Sequence, residues 1–155
     1  MAYFVVLEDE RIVRNLVTLI LRQNHHSVRQ AGTPEQAERL CQSHSIDLVV
    51  ADVRLADGRS GTEFALRLVS AQPKTKILFI SGLPIGDWTR RDQNNIEDMP
   101  EGTYAALRKP LSAELLLRTI GDLLSRAEPV EAIDQVNLRL PVLPPTPWVT
   151  TMYIF

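Results

Sequence analysis

The sequence predicts an α/β protein built on a doubly wound, five-stranded parallel sheet. Three observations predict it. Unbroken apolar runs such as Phe4-Val5-Val6-Leu7 and Leu48-Val49-Val50-Ala51 read as strands buried on both faces. Between the runs lie segments with helical periodicity and short links, the β-α alternation of a parallel sheet with crossover helices. Finally, the first and third runs end in acid, Glu8-Asp9-Glu10 and Asp52. That is the carboxyl edge of the sheet, where open α/β folds bind ligands.

Length and composition narrow the function classes. The chain has 155 residues, 45% of them hydrophobic, enough for one ordinary globular domain. A net charge of −2 with both signs interspersed forecasts no nucleic-acid surface. Cys41 is the single cysteine and falls in an amphipathic stretch, so it reads as a small buried thiol. No apolar run approaches the ~20 residues that cross a bilayer, and no signal peptide is evident. A cytoplasmic protein without a membrane partner is expected.

Taken in order, Phe4–Leu7 is the first strand. Glu10 to Gln23 follows as a helix with Ile12, Leu16, Leu19, Ile20 and Leu21 toward the sheet and Asp9 as its cap. Ser27–Ala31 is a weak strand. Thr33 and Pro34 then open a helix, as N-cap and first residue, that runs to about Ser43. The third strand, Ile46–Asp52, gives way to a turn-rich loop through Gly61, and Thr62–Ala71 is a helix with Phe64, Leu68 and Ala71 inward. Lys76–Ile80 is the fourth strand, stopped by Ser81-Gly82. From Leu83 to Gly102 the apolar signal thins between Pro84, Gly86 and Pro100, which predicts a short or mobile helix with Trp88 as a core or interface anchor. Thr103–Leu107 is the fifth strand and Arg108-Lys109-Pro110 a loop. Ser112-Ala113-Glu114 opens a last helix with Leu115, Leu116, Ile120, Leu123 and Leu124 inward. His25, His26 and His44 sit in or beside connections and read as surface residues, because no ligand cluster accompanies them.

Composition changes beyond residue 127. Pro141, Pro144, Pro145 and Pro147 crowd the tail, flanked by an alternating run from Val136 to Val142 and an apolar one from Trp148 to Phe155. Residues 128–155 cannot bury a core alone. They are expected to be a disordered extension or an arm that docks on the sheet, a partner or a second copy of the chain as a homodimer.

Five positions converge on one rim if the topology holds: Glu8 and Asp9, Asp52, Ser81, and Lys109. Each has a bland alternative. Asp9 can be only a cap, Glu8 a solvated first-turn acid, Ser81 a turn former with Gly82, and Lys109 a snorkelling strand-end residue. The weight lies in their joint placement. Two charges ~4 Å apart repel by roughly 4 kcal/mol at an effective dielectric near 20, so clustered carboxylates call for a cation. Mg²⁺, which takes oxygen ligands and keeps waters for substrate phosphates, suits such a rim.

This constellation resembles the receiver domain of two-component response regulators, of the CheY-like superfamily. Glu8-Asp9, Asp52, Ser81-Gly82 and Lys109-Pro110 carry the resemblance, which covers about residues 2–127. It implies a flavodoxin-like (βα)5 fold for residues 1–127 and a phosphoryl group accepted on Asp52 from a sensor histidine kinase or histidine phosphotransfer protein. Asp9 and Asp52 would ligate Mg²⁺, with Glu8 through water and Arg54 by its backbone carbonyl, while Ser81 and Lys109 would contact the phosphoryl group. The resemblance also implies a cis Lys109-Pro110 bond. Two positions depart from the family pattern: Ala106 stands where an aromatic residue is usual, and Ala56 where proline is usual.

The expected function is a stand-alone regulator, not an enzyme with an external substrate, that signals by contact with an unknown downstream protein. Phosphorylation is expected to order the segment from Leu83 to Gly102. The alternative is a receiver-like interaction module that works without phosphorylation. A Mg²⁺-dependent phosphohydrolase is disfavoured, because Arg54 occupies the position two after Asp52 where its general acid would stand.

Overall fold

The computed structural model of the chain describes residues 2–126 and the backbone of Tyr153–Ile154. Five strands, β1 (Tyr3–Leu7), β2 (Ser27–Ala31), β3 (Leu48–Asp52), β4 (Lys76–Ser81) and β5 (Tyr104–Arg108), form one sheet in the order β2-β1-β3-β4-β5. All four pairings are parallel. The helices are α1 (Arg11–Gln23), α2 (Pro34–Ser43), α3 (Gly61–Ala71), α4 (Arg90–Glu97) and α5 (Ala113–Ser125). This is the flavodoxin-like strand order expected from the sequence.

Alternate residues along each central strand feed opposite cores, as a pleated strand requires. Val5, Leu7, Val49, Ala51, Ile77 and Phe79 meet Ala37, Cys41, Phe64, Leu68, Trp88 and Ile96 on the α2-α3-α4 side. Phe4, Val6, Leu48, Val50, Leu78 and Ile80 meet Val13, Val17, Leu21, Leu116, Ile120 and Leu123 of α1 and α5. Burial on both faces explains why these strands read as continuous apolar runs.

The helix ends agree with the sequence signals at Thr33, whose hydroxyl accepts from the Gln36 amide, and at Ser112, which accepts from the Leu115 amide. They disagree at Asp9. Glu10 occupies the N-cap position of α1, with no side-chain cap there, and Asp9 is exposed. The Glu10 amide is instead satisfied by Oε1 of Glu8 at 3.1 Å.

Which helix face is buried also differs from expectation. In α1 the inward stripe is Val13, Val17, Ile20 and Leu21, while Ile12 and Leu19 are exposed and Leu16 is half-buried. Two apolar stripes compete on this helix, and polar contacts fix its rotation: Arg14 reaches the Glu8 carbonyl, and Gln30 of β2 donates to Asn15 and Thr18. In α5 Leu115 and Leu124 are exposed beside the buried Leu116, Ile120 and Leu123, and Ala71 at the end of α3 is exposed.

The helix expected between Leu83 and Gly102 is short, α4 being 8 residues after a 3₁₀ turn at Ile85–Asp87. Trp88 anchors it, 6% exposed, edge-on to Phe79 and donating through Nε1 to the Leu83 carbonyl. His26 is half-buried against Phe4 rather than on the surface, whereas His44 is exposed and stacks on Tyr3. Among the described residues no helix is long and apolar enough to cross a membrane.

The alternating run from Val136 to Val142, like most of the tail, lies outside the described residues. Tyr153–Ile154, however, forms strand β7, paired antiparallel with the two-residue strand β6 (Leu111–Ser112).

Candidate functional site

Strand register builds the site. Leu7 pairs with Ala51, so the next residues, Glu8 and Asp52, leave β1 and β3 side by side. Asp52 pairs with Ile80, so Ser81 lies one residue beyond it on β4, and Ser81 pairs with Arg108, which delivers Lys109. The Lys109 amide donates to the Ser81 carbonyl at 2.8 Å, tying the two links together. The Lys109-Pro110 peptide is cis.

The side chains converge accordingly. Lys109 Nζ is 3.2 Å from Oε2 of Glu8 and 3.6 Å from Oδ2 of Asp52. Ligand oxygens of Glu8, Asp9 and Asp52 all lie within 4.8 Å of one another. Asp9 is exposed, Glu8 and Asp52 are buried, and Ser81 is buried with its Oγ accepting from the Leu83 amide. Arg54, exposed, follows on the same rim in an isolated bridge with Ser60. Every expected site residue is therefore at one sheet edge, four of them in a direct charge cluster.

The electrostatics are those of crowded acid. Burial first, and then the Asp52 charge, push the Glu8 carboxyl up to about 7, against the pull of Lys109. Asp52 is also raised, by burial, with Lys109 opposing. Burial of Lys109 favours loss of its proton, but Asp52 and Glu8 outweigh this and hold the ammonium above its ordinary range. One ammonium paired with two of three clustered carboxylates leaves surplus negative charge in an all-oxygen donor set. That chemistry fits a hard divalent cation.

A second layer fixes this cluster. An ideal Cβ on Gly61 would lie 2.0 Å from the Asp52 carbonyl oxygen, so the start of α3 rests on the backbone of Asp52 itself. The neighbouring Thr62 hydroxyl donates to Oδ1 of Asp92 at 2.5 Å, Ser60 donates to the same oxygen, and Thr89 donates to Oδ2 at 2.8 Å. Asp92 is a buried carboxylate on α4 held by three hydroxyls. The loop after Asp52 is thus bolted to α4. Sequence reasoning missed Gly61, Asp92 and Arg14. For Asp92 a local signal existed, Thr89 as N-cap three residues before an acid, as in a capping box.

Comparison with known proteins decides the family. The profile of the response regulator receiver domain matches residues 4–121. The chain belongs to the response regulator receiver family. Solved structures agree on the fold. A CheY-like receiver domain protein from Methanospirillum hungatei superposes with a TM-score of 0.69 at 18% identity, covering 80% of this chain and 94% of that one. The chemotaxis protein CheY4 of Vibrio cholerae gives 0.68 at 22% identity, over 79% and 98%. NtrX from Brucella abortus, a structure in complex with ADP, gives 0.68 at 23%, over 79% of this chain but 27% of that longer one. No curated protein matched the sequence.

Within this receiver, Ala106 is half-buried on β5 and pairs with Phe79 of β4. Tyr104, two residues earlier, packs edge-on against Phe79. An alanine offers no ring to reorient at that position.

Proposed function

We propose that this receiver accepts a phosphoryl group on Asp52 from a sensor histidine kinase or histidine phosphotransfer protein in the cytoplasm, and passes the signal to a downstream protein by contact. The observation that carries the reading is the convergence of Asp52 with Glu8, Asp9 and Lys109 at one rim. A carboxylate oxygen of Asp52 attacks phosphorus, the new P–O bond forming as the P–N bond to the donor histidine breaks. Its buried setting keeps Asp52 at the end of a rigid strand, and Lys109, 3.6 Å away, offsets the charge that spreads over the phosphoryl oxygens. No external substrate is turned over; the chemistry is the receiver's own phosphorylation and dephosphorylation.

Mg²⁺ would be held by Asp9 and Asp52, with Glu8 through water and Arg54 by its backbone carbonyl, and supplies positive charge to the phosphoryl oxygens when bound. Ser81 can donate its hydroxyl proton to one of those oxygens. Because the Leu83 amide already donates to Ser81 Oγ, a move of this side chain draws on the segment leading to α4.

Intact mass after incubation with acetyl phosphate and Mg²⁺ tests the reading. Wild type is expected to gain one phosphoryl group, and no gain is expected when Mg²⁺ is chelated beforehand or in Asp52→Asn. The alanine at 106 favours a second reading, a receiver-like module that binds partners without phosphorylation. An unmodified wild type that still binds its partner would establish it instead.

A further inference from the structure

The pairing of β7 with β6 lies outside the main sheet, at a place with functional neighbours. Leu111 pairs with Ile154 and Ser112 with Tyr153. β6 begins two residues after Lys109 and leads directly into α5, so β7 sits at the site's own rim. It also approaches α1, whose first turn starts from that rim after Glu8-Asp9-Glu10. Two residues of ladder are too little to hold by themselves. They require apolar burial beside them.

Exposed apolar surface lies beside the ladder, at Ile12 and Leu115, and the two-residue pairing itself leaves it uncovered, while Leu16 packs partly on the core between α1 and α5. Ile12 is 70% exposed on the first turn of α1 and Leu16 follows one turn on, half-buried; Leu115, 45% exposed, opens α5 immediately after Ser112. None of the three belongs to the fully buried stripe of its helix. The segment that carries β7 has the matching chemistry: Trp148, Val149, Met152, Tyr153, Ile154 and Phe155 are apolar or aromatic, with no charged residue among positions 148–155.

We infer that the face formed by the start of α1, β6 and the first turn of α5 is a docking surface whose occupant is residues 148–155 of the same chain. Reach permits this in cis. α5 carries the chain about 20 Å from Ser112 to its other end. The connecting residues 127–152 can span of order 85 Å when extended. Closing such a loop costs only logarithmically in its length, whereas recruiting the strand from a second copy depends on concentration. Docking there places the chain's own strand two residues from Lys109, on the rim through which a phosphodonor reaches Asp52. The docking itself does not depend on Asp52 being phosphorylated.

A disulfide trap in the full chain tests it. Opposed residues of an antiparallel pair have Cα atoms about 4.5–5.5 Å apart, within disulfide reach. The native Cys41 does not compete, being buried with its thiol pushed up to about 11 by burial. Under mild oxidation Ser112→Cys/Tyr153→Cys is expected to give an intramolecular disulfide in a monomer, and neither single variant is. Disulfide-linked dimers alone would assign the surface to a second copy and overturn the proposal; no disulfide would overturn it outright. Because Ser112 caps α5, hydrogen exchange on Ile154→Pro gives an independent readout: loss of protection at Leu111–Ser112 and along the first two turns of α1 is expected, and unchanged protection contradicts the docking.

Discussion

At the scale of single residues, the site is a balance between one ammonium and buried acid. Glu8 has its folded pKa raised from 4.5 to about 7, so the folded, metal-free protein holds a proton that the unfolded chain has released. The stability this contributes is present below about pH 4.5 and is lost as pH rises through about 7. Asp52 shifts in the same direction and adds the same sign. Urea midpoints of metal-free protein are therefore expected to fall between pH 5 and pH 8, with Mg²⁺ restoring stability most at the higher pH. Lys109→Met removes the cation that both carboxylates face; the expected loss is about 2 kcal/mol at pH 8 and less at pH 5, in the same unfolding measurement. Gly61→Ala drives a Cβ against the Asp52 carbonyl, which backbone cannot yield cheaply. We expect a loss of about 2 kcal/mol or more and slower phosphorylation of Asp52, checked by unfolding and by intact mass.

The charged positions were readable because each stands at a strand end, where register alone decides its neighbours. Gly61 and Arg14 were not readable, since a close backbone approach and a long side chain reaching a carbonyl six residues back leave no periodic mark.

At the scale of elements, strands were legible and helix rotations were not. Burial on both faces writes a continuous apolar run into β1, β3 and β4. A helix with two apolar stripes is ambiguous, and the choice of Val13 and Val17 over Ile12 and Leu19 is made by polar contacts to Glu8 and Gln30 that belong to tertiary structure. The same holds for α4. Its mean apolar content is thin, and what fastens it is the buried Asp92 carboxylate gripping Ser60, Thr62 and Thr89, together with Trp88 and Ile96. Asp92→Ala orphans those hydroxyls and is expected to cost about 2 kcal/mol. Hydrogen exchange should show the loss concentrated in Arg90–Glu97. If Ser81 couples phosphorylation to this region through the Leu83 amide, a phosphoryl mimic at Asp52 will raise protection from Leu83 to Gly102. Equal protection with and without the mimic would break that link.

At the scale of the whole molecule, a five-stranded sheet in the order β2-β1-β3-β4-β5 brings residues distant in sequence to one edge, Glu8 and Lys109 among them. Family membership follows from the sequence match over residues 4–121, and the fold from structures that share under a quarter of its residues. The account's central claim is that this edge makes Asp52 a phosphoacceptor. Its most direct test is to treat the wild-type protein with acetyl phosphate and Mg²⁺, reduce the product with borohydride, and locate the resulting homoserine by peptide mass. The account predicts homoserine at position 52 and nowhere else; no conversion, homoserine at Asp9, or the corresponding five-carbon alcohol at Glu8 in its place, would contradict it.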